Sequence, residues 1–367
     1  MRIFIFSKNF FPQVAGMETI IDTMAREFVA MGHEVRLATT TPLGSEGAEY
    51  DTRFPYPVVR DPGMRELFGL VWWCDVYYQN DAFLKKAWPL VVLRRPLVIE
   101  YMMWRFGKPG APLTFRNRVV AWVLGKTAWH MGQSHALVRY LPFKSEYVPT
   151  PFRSELLRVM PGVVRDKDVV FAGRVIREKG VGTLLEALGI LNGRGKRYTA
   201  TIVGRGNDLE EFKAMSTKLG LDGQVEFAGV KMGEEFATLL NRHEVMAVPS
   251  IWDEPFGTVA AEGIACGCVV VASDSGGLPD TVGPCGVLFG RGDAAALAGR
   301  LEEVLENRGG LGKYREKATD HLAQFRQDVS AEARLGIFRR VMGGEKRVLA
   351  TTRLSSSKSD RKSDEHR

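Results

Sequence analysis

The chain has 367 residues, of which 45% are hydrophobic and 25% are charged, and its formal net charge is +7. This composition is typical of a globular protein with two domains of ordinary size and excludes a chain that is disordered throughout. The positive charge favours acidic partners such as nucleotides, phosphates, anionic lipids or nucleic acids. Four cysteines give no disulfide framework and lack the spacing of a zinc site, so we expect buried thiols in a reducing compartment.

The first forty residues predict a strand, a helix and a second strand over residues 2–7, 17–31 and 34–40. An amphipathic helix between two strands favours a parallel sheet covered by helices. The turn after the first strand lacks the G-x-G-x-x-G pattern, which argues against a dehydrogenase. The opening residues are not typical of a signal peptide, and no apolar run reaches the roughly 18 residues that span a bilayer. We therefore expect a cytoplasmic protein with at most peripheral membrane contact.

Further strands are predicted at residues 75–79 and 96–101, and a basic stretch overlaps the second of them. Residues 84–145 hold eleven lysines and arginines against the single acid Glu100, with nine tryptophans, tyrosines and phenylalanines among them. Basic residues next to aromatic ones are typical of docking to an anionic membrane surface. An equally good interpretation places the aromatic rings in a core and the charges in solvent. Single-stranded nucleic acid is recognised with the same residue types, but no nucleic-acid fold motif accompanies them.

A hydrophilic segment at residues 152–168 predicts a linker between two domains. Asp166 and Asp168 form a D-x-D pattern, which binds metal and diphosphate in one class of sugar-transferring enzymes when it closes a buried strand. Here the pattern precedes a strand and lies beside the linker. We therefore interpret it as a surface turn, and no divalent metal or other cofactor is implied.

The second domain is predicted to open with a strand at residues 169–172 and a glycine-bounded loop that carries Arg174 and Lys179. A helix follows at residues 181–191. A later strand, at residues 198–203, ends in a tight turn that begins with Gly204.

The stretch with the most chemical information follows a short buried strand at residues 245–248. Pro255 and Gly257 break the chain, and an alanine-rich helix begins near Thr258, which we predict to be its N-cap. The free N–H groups and partial positive charge of a helix N-terminus favour phosphate binding. Glu262 lies one turn inside the helix on the face of Thr258, where a carboxylate can accept two hydrogen bonds from a ribose diol. With Glu254 in front of the helix, this pattern predicts a nucleotide-sugar site.

The segment from Glu254 to Glu262 resembles the E-x7-E motif of retaining glycosyltransferases with the GT-B fold, the group 1 or family 4 type. The likeness continues through residues 266–272, 276–280 and 286–289. It is specific from about Phe171 to Asp293 and looser over the N-terminal half.

This resemblance implies an α/β fold, GT-B, with two Rossmann-like domains facing each other across a cleft. The N-terminal domain, residues 1–151, would bind the acceptor, and residues 169–329 would bind the nucleotide-sugar. A helix at residues 330–346 would cross back to the N-terminal domain. Residues 347–367 are polar and of low complexity, so we expect a disordered tail.

The resemblance also implies roles for individual residues. Arg174 and Lys179 would clamp the donor diphosphate, and Glu254 would hold the sugar hydroxyls. Glu262 would bind the ribose. Backbone groups close to the donor are implied at Gly16, Gly204, Phe256, Gly257, Thr258 and Val259.

The N-terminal half departs from the family pattern in two places. Its first loop resembles the P-x-x-G-G-x-E loop at Pro12, Gly16 and Glu18, but Ala15 replaces the first glycine. Family members also carry a histidine near the reacting sugar, at the end of the strand predicted at residues 96–101. This chain has none there, and Glu100, Tyr101 and Met102 are the nearest residues.

The implied reaction is retaining, metal-independent transfer of a hexose from a UDP- or GDP-linked donor to a glycan or lipid-linked acceptor in cell-surface polysaccharide or glycoconjugate synthesis. One alternative is a hydrolase or phosphorylase that uses Glu254 and Glu262 as its carboxylate pair. Another is a catalytically impaired nucleotide-sugar-binding protein of the same fold. The missing histidine keeps the second alternative open.

Overall fold

Two parallel β-sheets organise the chain in this computed structural model, which describes residues 1–13, 16–107 and 109–344. The first sheet comprises β1 (Arg2–Ser7), β2 (Glu34–Thr39), β3 (Val58–Arg60), β4 (Val76–Asn80), β5 (Leu97–Tyr101), β6 (Trp129–Gly132) and β7 (Glu146–Tyr147). The second comprises β8 (Lys167–Ala172), β9 (Ala200–Val203), β10 (Val225–Gly229), β11 (His243–Val248), β12 (Val269–Ser273) and β13 (Gly286–Phe289).

Helices cover both faces of each sheet. Those of the first half are α1 (Gly16–Ala30), α2 (Met64–Trp73), α3 (Phe115–Thr127) and α4 (His135–Tyr140). Those of the second half are α5 (Val181–Gly193), α6 (Leu209–Lys218), α7 (Gly233–Asn241), α8 (Thr258–Ala265), α9 (Leu278–Val282), α10 (Ala294–Glu306), α11 (Gly312–Arg315), α12 (Ala318–Ala323) and α13 (Gln327–Met342).

The two sheets share the same order over six strands, and the first sheet has a seventh strand, β7, at its edge. The order runs β3-β2-β1-β4-β5-β6-β7 in the first and β10-β9-β8-β11-β12-β13 in the second, with every pair parallel. From β1 the chain adds β2 and β3 on one side and then returns to add β4 on the other side. The same reversal occurs between β8 and β11. In doubly wound sheets, ligands bind beyond the carboxyl ends of the strands at such a switch point. The prediction of two Rossmann-like halves is confirmed.

Alternation along β8 shows how the second sheet is buried on both faces. Val169 and Phe171 pack in one hydrophobic cluster with α5 and α10. Val170 and Ala172 point to the other face and pack with α8 and α9. Because successive side chains of a strand point to opposite faces, a strand covered on both sides reads as a continuous apolar run.

The chain crosses between the two halves twice. The first crossing follows β7, and the second leads from α12 into α13, which packs on α1 and contributes Leu335 and Phe338 to the core of the first half. The two crossing segments are joined by a hydrogen bond from the Phe152 N–H to the Phe325 carbonyl, 3.2 Å long. Ser330 adds a second link by donating its hydroxyl to the Pro149 carbonyl at 2.6 Å.

Several predicted boundaries shift in the structure. The crossing helix begins at Gln327 rather than at 330, and its predicted last two residues, with the predicted tail at 347–367, lie outside the described residues. The predicted surface turn at Asp166 and Asp168 is partly wrong, because β8 begins at Lys167, where the register pairs it with His243. Both carboxylates pair with arginines, Asp166 with Arg242 and Asp168 with Arg308.

Candidate active site

The carboxyl ends of the two sheets face each other across a groove. The Trp104 indole N–H, in the loop after β5, donates to the Asp253 carbonyl at 2.5 Å. The backbone N–H of His135, after β6, donates to the Asp280 carboxylate at 2.7 Å. Segments that follow strands of one sheet therefore touch segments that follow strands of the other, and the interdomain groove lies between the two switch points.

Two loops meet at the switch point of the second sheet. The Ile251 N–H, after β11, donates to the Glu178 carbonyl in the loop after β8 at 2.9 Å. Gly180 has a φ of +75°, and a Cβ there would lie 1.8 Å from the Pro249 carbonyl oxygen. Only glycine allows this backbone conformation together with so close an approach. The loops that carry Lys179 and Glu254 are therefore held against each other.

Lys179 and Glu254 form an ion pair in the groove. The Lys179 ammonium lies 2.5 Å from Oε1 of Glu254, and the Ser250 hydroxyl donates to the same oxygen at 2.6 Å. Glu254 is buried, so the two donors compensate a charge that has lost its water. The other carboxylate oxygen has no hydrogen-bond partner among the described residues. Sequence reasoning gave Lys179 and Glu254 separate roles and missed both their contact and Ser250.

The N-terminus of α8 opens beside this pair. Gly257 is the N-cap residue, in the left-handed conformation with a φ of +92°, and no side chain caps the helix. The prediction that Thr258 is the N-cap is wrong, because Thr258 is already the first helical residue. The N–H groups of Thr258 and Val259 donate to no acceptor within the described residues. Such free N–H groups at a helix N-terminus suit a phosphate.

The loop before α8 is held in place by contacts on its buried side. Phe256 is buried against Phe325, so only its backbone is available to a ligand. The Thr281 hydroxyl donates to the Phe256 carbonyl at 2.6 Å, and the Gly277 N–H donates to the Glu254 carbonyl at 2.7 Å. Gly277 and α9 therefore set the position of the groove-facing loop.

Glu262 lies one turn inside α8 and is half-buried. Burial raises the pKa of its carboxyl to about 7, and Arg153 opposes the rise. The charge of this group therefore changes near neutral pH.

Arg174 lies at the solvent edge of the same switch point. Its loop is held by a hydrogen bond from the Val175 N–H to the Arg205 carbonyl at 2.9 Å. A Cβ on Gly204, whose φ is +137°, would lie 1.8 Å from the Gly173 carbonyl oxygen, so the turn after β9 needs a glycine. Within the described part of the chain, no acidic side chain pairs with Arg174. The neighbouring cation Arg177 instead pairs with Glu211 on the surface.

The first loop of the N-terminal half is described only in part. Gly16 is exposed and begins α1, whereas Glu18 is buried. Ala15, the departure from the family pattern, lies outside the described residues.

None of the three residues nearest the expected histidine presents its side chain to the groove. Glu100 is fully buried, 2.5 Å from the Arg334 guanidinium of α13, and it accepts a hydrogen bond from Tyr78 at 2.5 Å. The side chains of Tyr101 and Met102 lie in two hydrophobic clusters of the N-terminal half. The polar side chains at this edge come instead from the end of β4, which sequence reasoning passed over.

The basic stretch at residues 84–145 divides between core and surface. Tyr101, Phe106 and Phe143 pack together in the core. Other apolar side chains are exposed, including Val91 at 88%, Phe115 at 83% and Trp122 at 62%. We call the following set the basic-aromatic surface: Val91, Arg94, Arg95, Phe115, Trp122 and Lys126.

Within this surface, the Lys126 ammonium lies 4.1 Å from the centre of the Trp122 ring. An apolar pocket of about 690 Å³ opens between the turn at Trp88–Val91 and α3, with Arg94, Arg95 and Lys126 in its lining. The core interpretation therefore holds for one group of these residues, while a second group of aromatic and basic side chains is exposed, and its docking to a membrane stays a prediction.

Three further features bear on the predictions. Cys74, Cys266, Cys268 and Cys285 are free and buried. The residues described here contain no group of three histidine, cysteine or acidic side chains arranged to hold a metal ion. Among the helices described, none combines the length and apolar character needed to cross a membrane.

Comparison with known proteins agrees with this geometry. Residues 157–321 match the family model of group 1 glycosyl transferases. A D-inositol 3-phosphate glycosyltransferase of Corynebacterium jeikeium is 34% identical over 181 residues, 46% of this chain and 42% of that protein. A 2-deoxystreptamine glucosyltransferase of Streptomyces kanamyceticus is 25% identical over 299 residues, 79% of this chain and 76% of that protein. The chain spans less than half the length of the first of these relatives.

Solved structures share the fold across both halves. Anabaena HepE in complex with UDP superimposes with a TM-score of 0.76 at 20% identity, covering 92% of this chain and all of that one. A sucrose-phosphate synthase of Thermosynechococcus elongatus gives a TM-score of 0.74 at 19% identity, covering 94% of this chain and 99% of that one. The C-terminal half thus matches the group 1 glycosyl transferase family, and the two facing sheets have the GT-B fold.

Proposed function

We propose that the protein transfers a hexose from a nucleoside diphosphate sugar to a hydroxyl of a glycan or lipid-linked acceptor, with retention of anomeric configuration. The observation that carries this proposal is the contact between Lys179 and Glu254 beside the uncapped N-terminus of α8. A cation, a carboxylate and free backbone N–H groups meet there at the groove. These are the groups that recognise a phosphate and a sugar hydroxyl on one molecule.

The donor diphosphate would lie between α8 and the cations of the opposite loop. As the glycosidic bond breaks, negative charge grows on the departing phosphate, and Arg174 and Lys179 stabilise that charge more than they stabilise the ground state. An ammonium has three donors, so Lys179 can hold the phosphate while it keeps its bond to Glu254. The free oxygen of Glu254 would then accept a hydrogen bond from the sugar.

Glu262 would bind the ribose of the same donor. Its ionised carboxylate offers two oxygens to a vicinal diol, which the neutral carboxyl does less well. Gly16 and Gly204 lie at the ends of loops whose backbone would come close to the nucleotide. The complexes of Anabaena HepE contain UDP and UDP-glucose, which supports a nucleotide-sugar donor for this chain.

The retaining step would proceed on one face of the sugar, with the departing phosphate taking the acceptor proton. The arginine and lysine at the diphosphate supply the charge compensation that a metal supplies in other sugar-transferring enzymes. We therefore expect the reaction to be metal-independent. Activity that survives EDTA supports this part of the proposal, and loss of activity restored by a divalent ion contradicts it.

The acceptor would be delivered at a membrane. The basic-aromatic surface exposes aromatic rings among arginines and lysines, which suits anionic lipid headgroups. This placement supports a lipid-linked acceptor and a role in cell-surface polysaccharide or glycoconjugate synthesis.

Two measurements test the proposal. A nucleotide that binds the folded state raises the melting temperature by mass action. We expect UDP or GDP to do so, and ADP to do so less. Product analysis with the matching nucleotide-sugar should then give transfer, or slow hydrolysis with retained configuration. A melting temperature that no nucleotide changes contradicts the donor site, and binding without any turnover identifies a catalytically impaired binding protein.

A further inference from the structure

The switch point of the first sheet also collects polar side chains. Asn80 is the last residue of β4, and Asp81 follows it. They lie beside Ser7, the last residue of β1, with which Asn80 is in register. This position in the N-terminal half corresponds to that of Lys179 and Glu254 in the other half.

Asn80 and Asp81 carry hydrogen-bonding capacity that the described residues do not use. Asn80 is 5% exposed, and its amide donates to the Ser7 hydroxyl at 3.3 Å while its oxygen, Oδ1, is buried without a partner. Asp81 is 8% exposed, and its Oδ1 accepts from the Met102 N–H at 3.4 Å. Its second oxygen has no hydrogen-bond partner among the described residues. Buried polar atoms without partners destabilise a fold, so a ligand that satisfies them binds with a net gain.

The loop after β5 connects Asp81 by hydrogen bonds to the donor side of the groove. At one end of the loop, the Met102 N–H donates to Asp81. Two residues later, the Trp104 indole donates to the carbonyl of Asp253, the residue before Glu254. Asp81 and Glu254 are therefore joined through one short loop, and a ligand at Asp81 would face the donor sugar.

The charges around Asp81 come from neighbouring elements. Burial raises the pKa of its carboxyl to about 7, Arg105 and the Met102 N–H oppose the rise, and Glu100 adds to it. The Glu100 charge is compensated by Arg334. Burial raises the pKa of the Tyr101 phenol, and the Asp81 charge adds to this rise. The carboxyl is thus partly ionised at neutral pH.

We propose that Asn80 and Asp81 form the subsite for the acceptor's reacting ring, in which the free carboxylate oxygen of Asp81 and Oδ1 of Asn80 each accept a hydrogen bond from a ring hydroxyl. Both free atoms are acceptors and one carries negative charge. The subsite therefore selects a neutral polyol, such as a monosaccharide or cyclitol ring, and disfavours a phosphate at this position. The inference rests on the proposed function, because it names the acceptor side of the same reaction.

The experiment uses the full chain with saturating UDP or GDP, whichever raises the melting temperature more. Titration calorimetry measures binding of methyl α-glucoside, methyl α-mannoside, methyl α-galactoside and myo-inositol at pH 6 and pH 8. At least one should bind, more tightly at pH 8, because the ionised carboxylate is the stronger hydrogen-bond acceptor. In Asp81→Asn, the affinity should fall about tenfold or more at pH 8 and lose its pH dependence.

Asp61→Asn is the matched control. Asp61 and Asp81 both have a positive φ. Asp61, however, follows β3 at the sheet edge, and its side chain is 81% exposed. We expect this variant to bind the polyols as the wild type does. Both variants should keep the nucleotide-induced rise in melting temperature, which shows that the donor site and the fold are intact.

Three outcomes overturn the inference: no polyol binds the wild type, Asp81→Asn binds as tightly as the wild type, or inorganic phosphate displaces the polyol from this position. Failure of the nucleotide to raise the melting temperature of the wild type is a separate result. It contradicts the proposed function rather than the subsite.

Discussion

At the scale of single residues, the Lys179 ammonium joins the two parts of the candidate site. It binds the Glu254 carboxylate, which faces the sugar in our proposal, and it lies in the loop that faces the diphosphate. Loss of the side chain would remove a cation from the leaving group and leave a buried carboxylate with only Ser250 as a donor. Arg177, two residues earlier, lacks this position because it pairs with Glu211.

Lys179→Ala should lower kcat by roughly 10²–10³-fold, the cost of losing one donor to transition-state charge. Arg177→Ala is the control and should leave kcat near the wild-type value. Steady-state kinetics with saturating nucleotide-sugar measure both. A kcat for Lys179→Ala close to that of the control contradicts the proposed clamp.

Glu262 should make donor binding depend on pH. Because burial raises the pKa of its carboxyl to about 7, the group is largely neutral at pH 6 and ionised at pH 8. Calorimetry should therefore show tighter binding of the nucleotide at pH 8 in the wild type. Glu262→Gln should bind more weakly at pH 8 and show a smaller pH dependence, and an unchanged dissociation constant contradicts the ribose role.

The same group should destabilise the free protein at alkaline pH. Its folded-state pKa is higher than that of an unfolded glutamate, so the folded state binds more protons and stability falls as pH rises from about 4 to about 7. Above pH 7 the loss is complete. We expect Glu262→Gln to melt at a higher temperature than the wild type at pH 8, while the difference shrinks toward pH 4. A lower melting temperature at pH 8 contradicts this linkage.

At the scale of elements, the sequence predicts most strands and helices because apolar periodicity is a local signal. It does not predict which charges are buried. In the sequence, Glu100 stands close to the position of the expected histidine. In the structure it pairs with Arg334, 234 residues away in α13. A contact between residues so distant in sequence leaves no periodic signature in either segment.

The pair of Glu100 and Arg334 should be essential to the packing of α13. Removing one partner leaves an uncompensated buried charge, which costs about 3–5 kcal/mol. Arg334→Ala should lower the free energy of unfolding by about that amount in denaturant titrations. Arg339→Ala removes an exposed pair with Glu332 in the same helix, and we expect little change. If the two substitutions lower the free energy of unfolding equally, the buried pair contributes no more to stability than the exposed pair.

At the scale of the whole molecule, the two-domain architecture and the loops that carry Arg174, Lys179 and Glu254 could be predicted from sequence. The order strand, glycine-bounded loop, helix places Arg174, Lys179 and Glu254 at the carboxyl ends of neighbouring strands, and a doubly wound sheet brings those ends together. The polar pair at the switch point of the first sheet could not be predicted in the same way. Asn80 and Asp81 belong to no recognisable motif, and their unpartnered atoms become evident only when the neighbouring strands are in place.

The basic-aromatic surface should bind vesicles that contain anionic lipid. Phe115→Ser with Trp122→Ser should reduce cosedimentation with such vesicles about fivefold or more, because both side chains are exposed and apolar. Raising the ionic strength to about 0.5 M should weaken wild-type binding by screening the cations. Met232→Ser, which removes an exposed apolar side chain from the other domain, is the control. Binding of the double variant equal to that of the control contradicts membrane docking.

The paired crossings between the domains determine how the groove can open. Because the Phe152 N–H donates to the Phe325 carbonyl, the two connections lie side by side, and we expect them to act as one hinge. A rotation there would leave both sheets intact and would break contacts between the two halves, such as Trp104 with Asp253 and His135 with Asp280. Donor and acceptor would then enter from the rim, and a closing turn of the whole C-terminal domain would bring Glu254 toward Asp81.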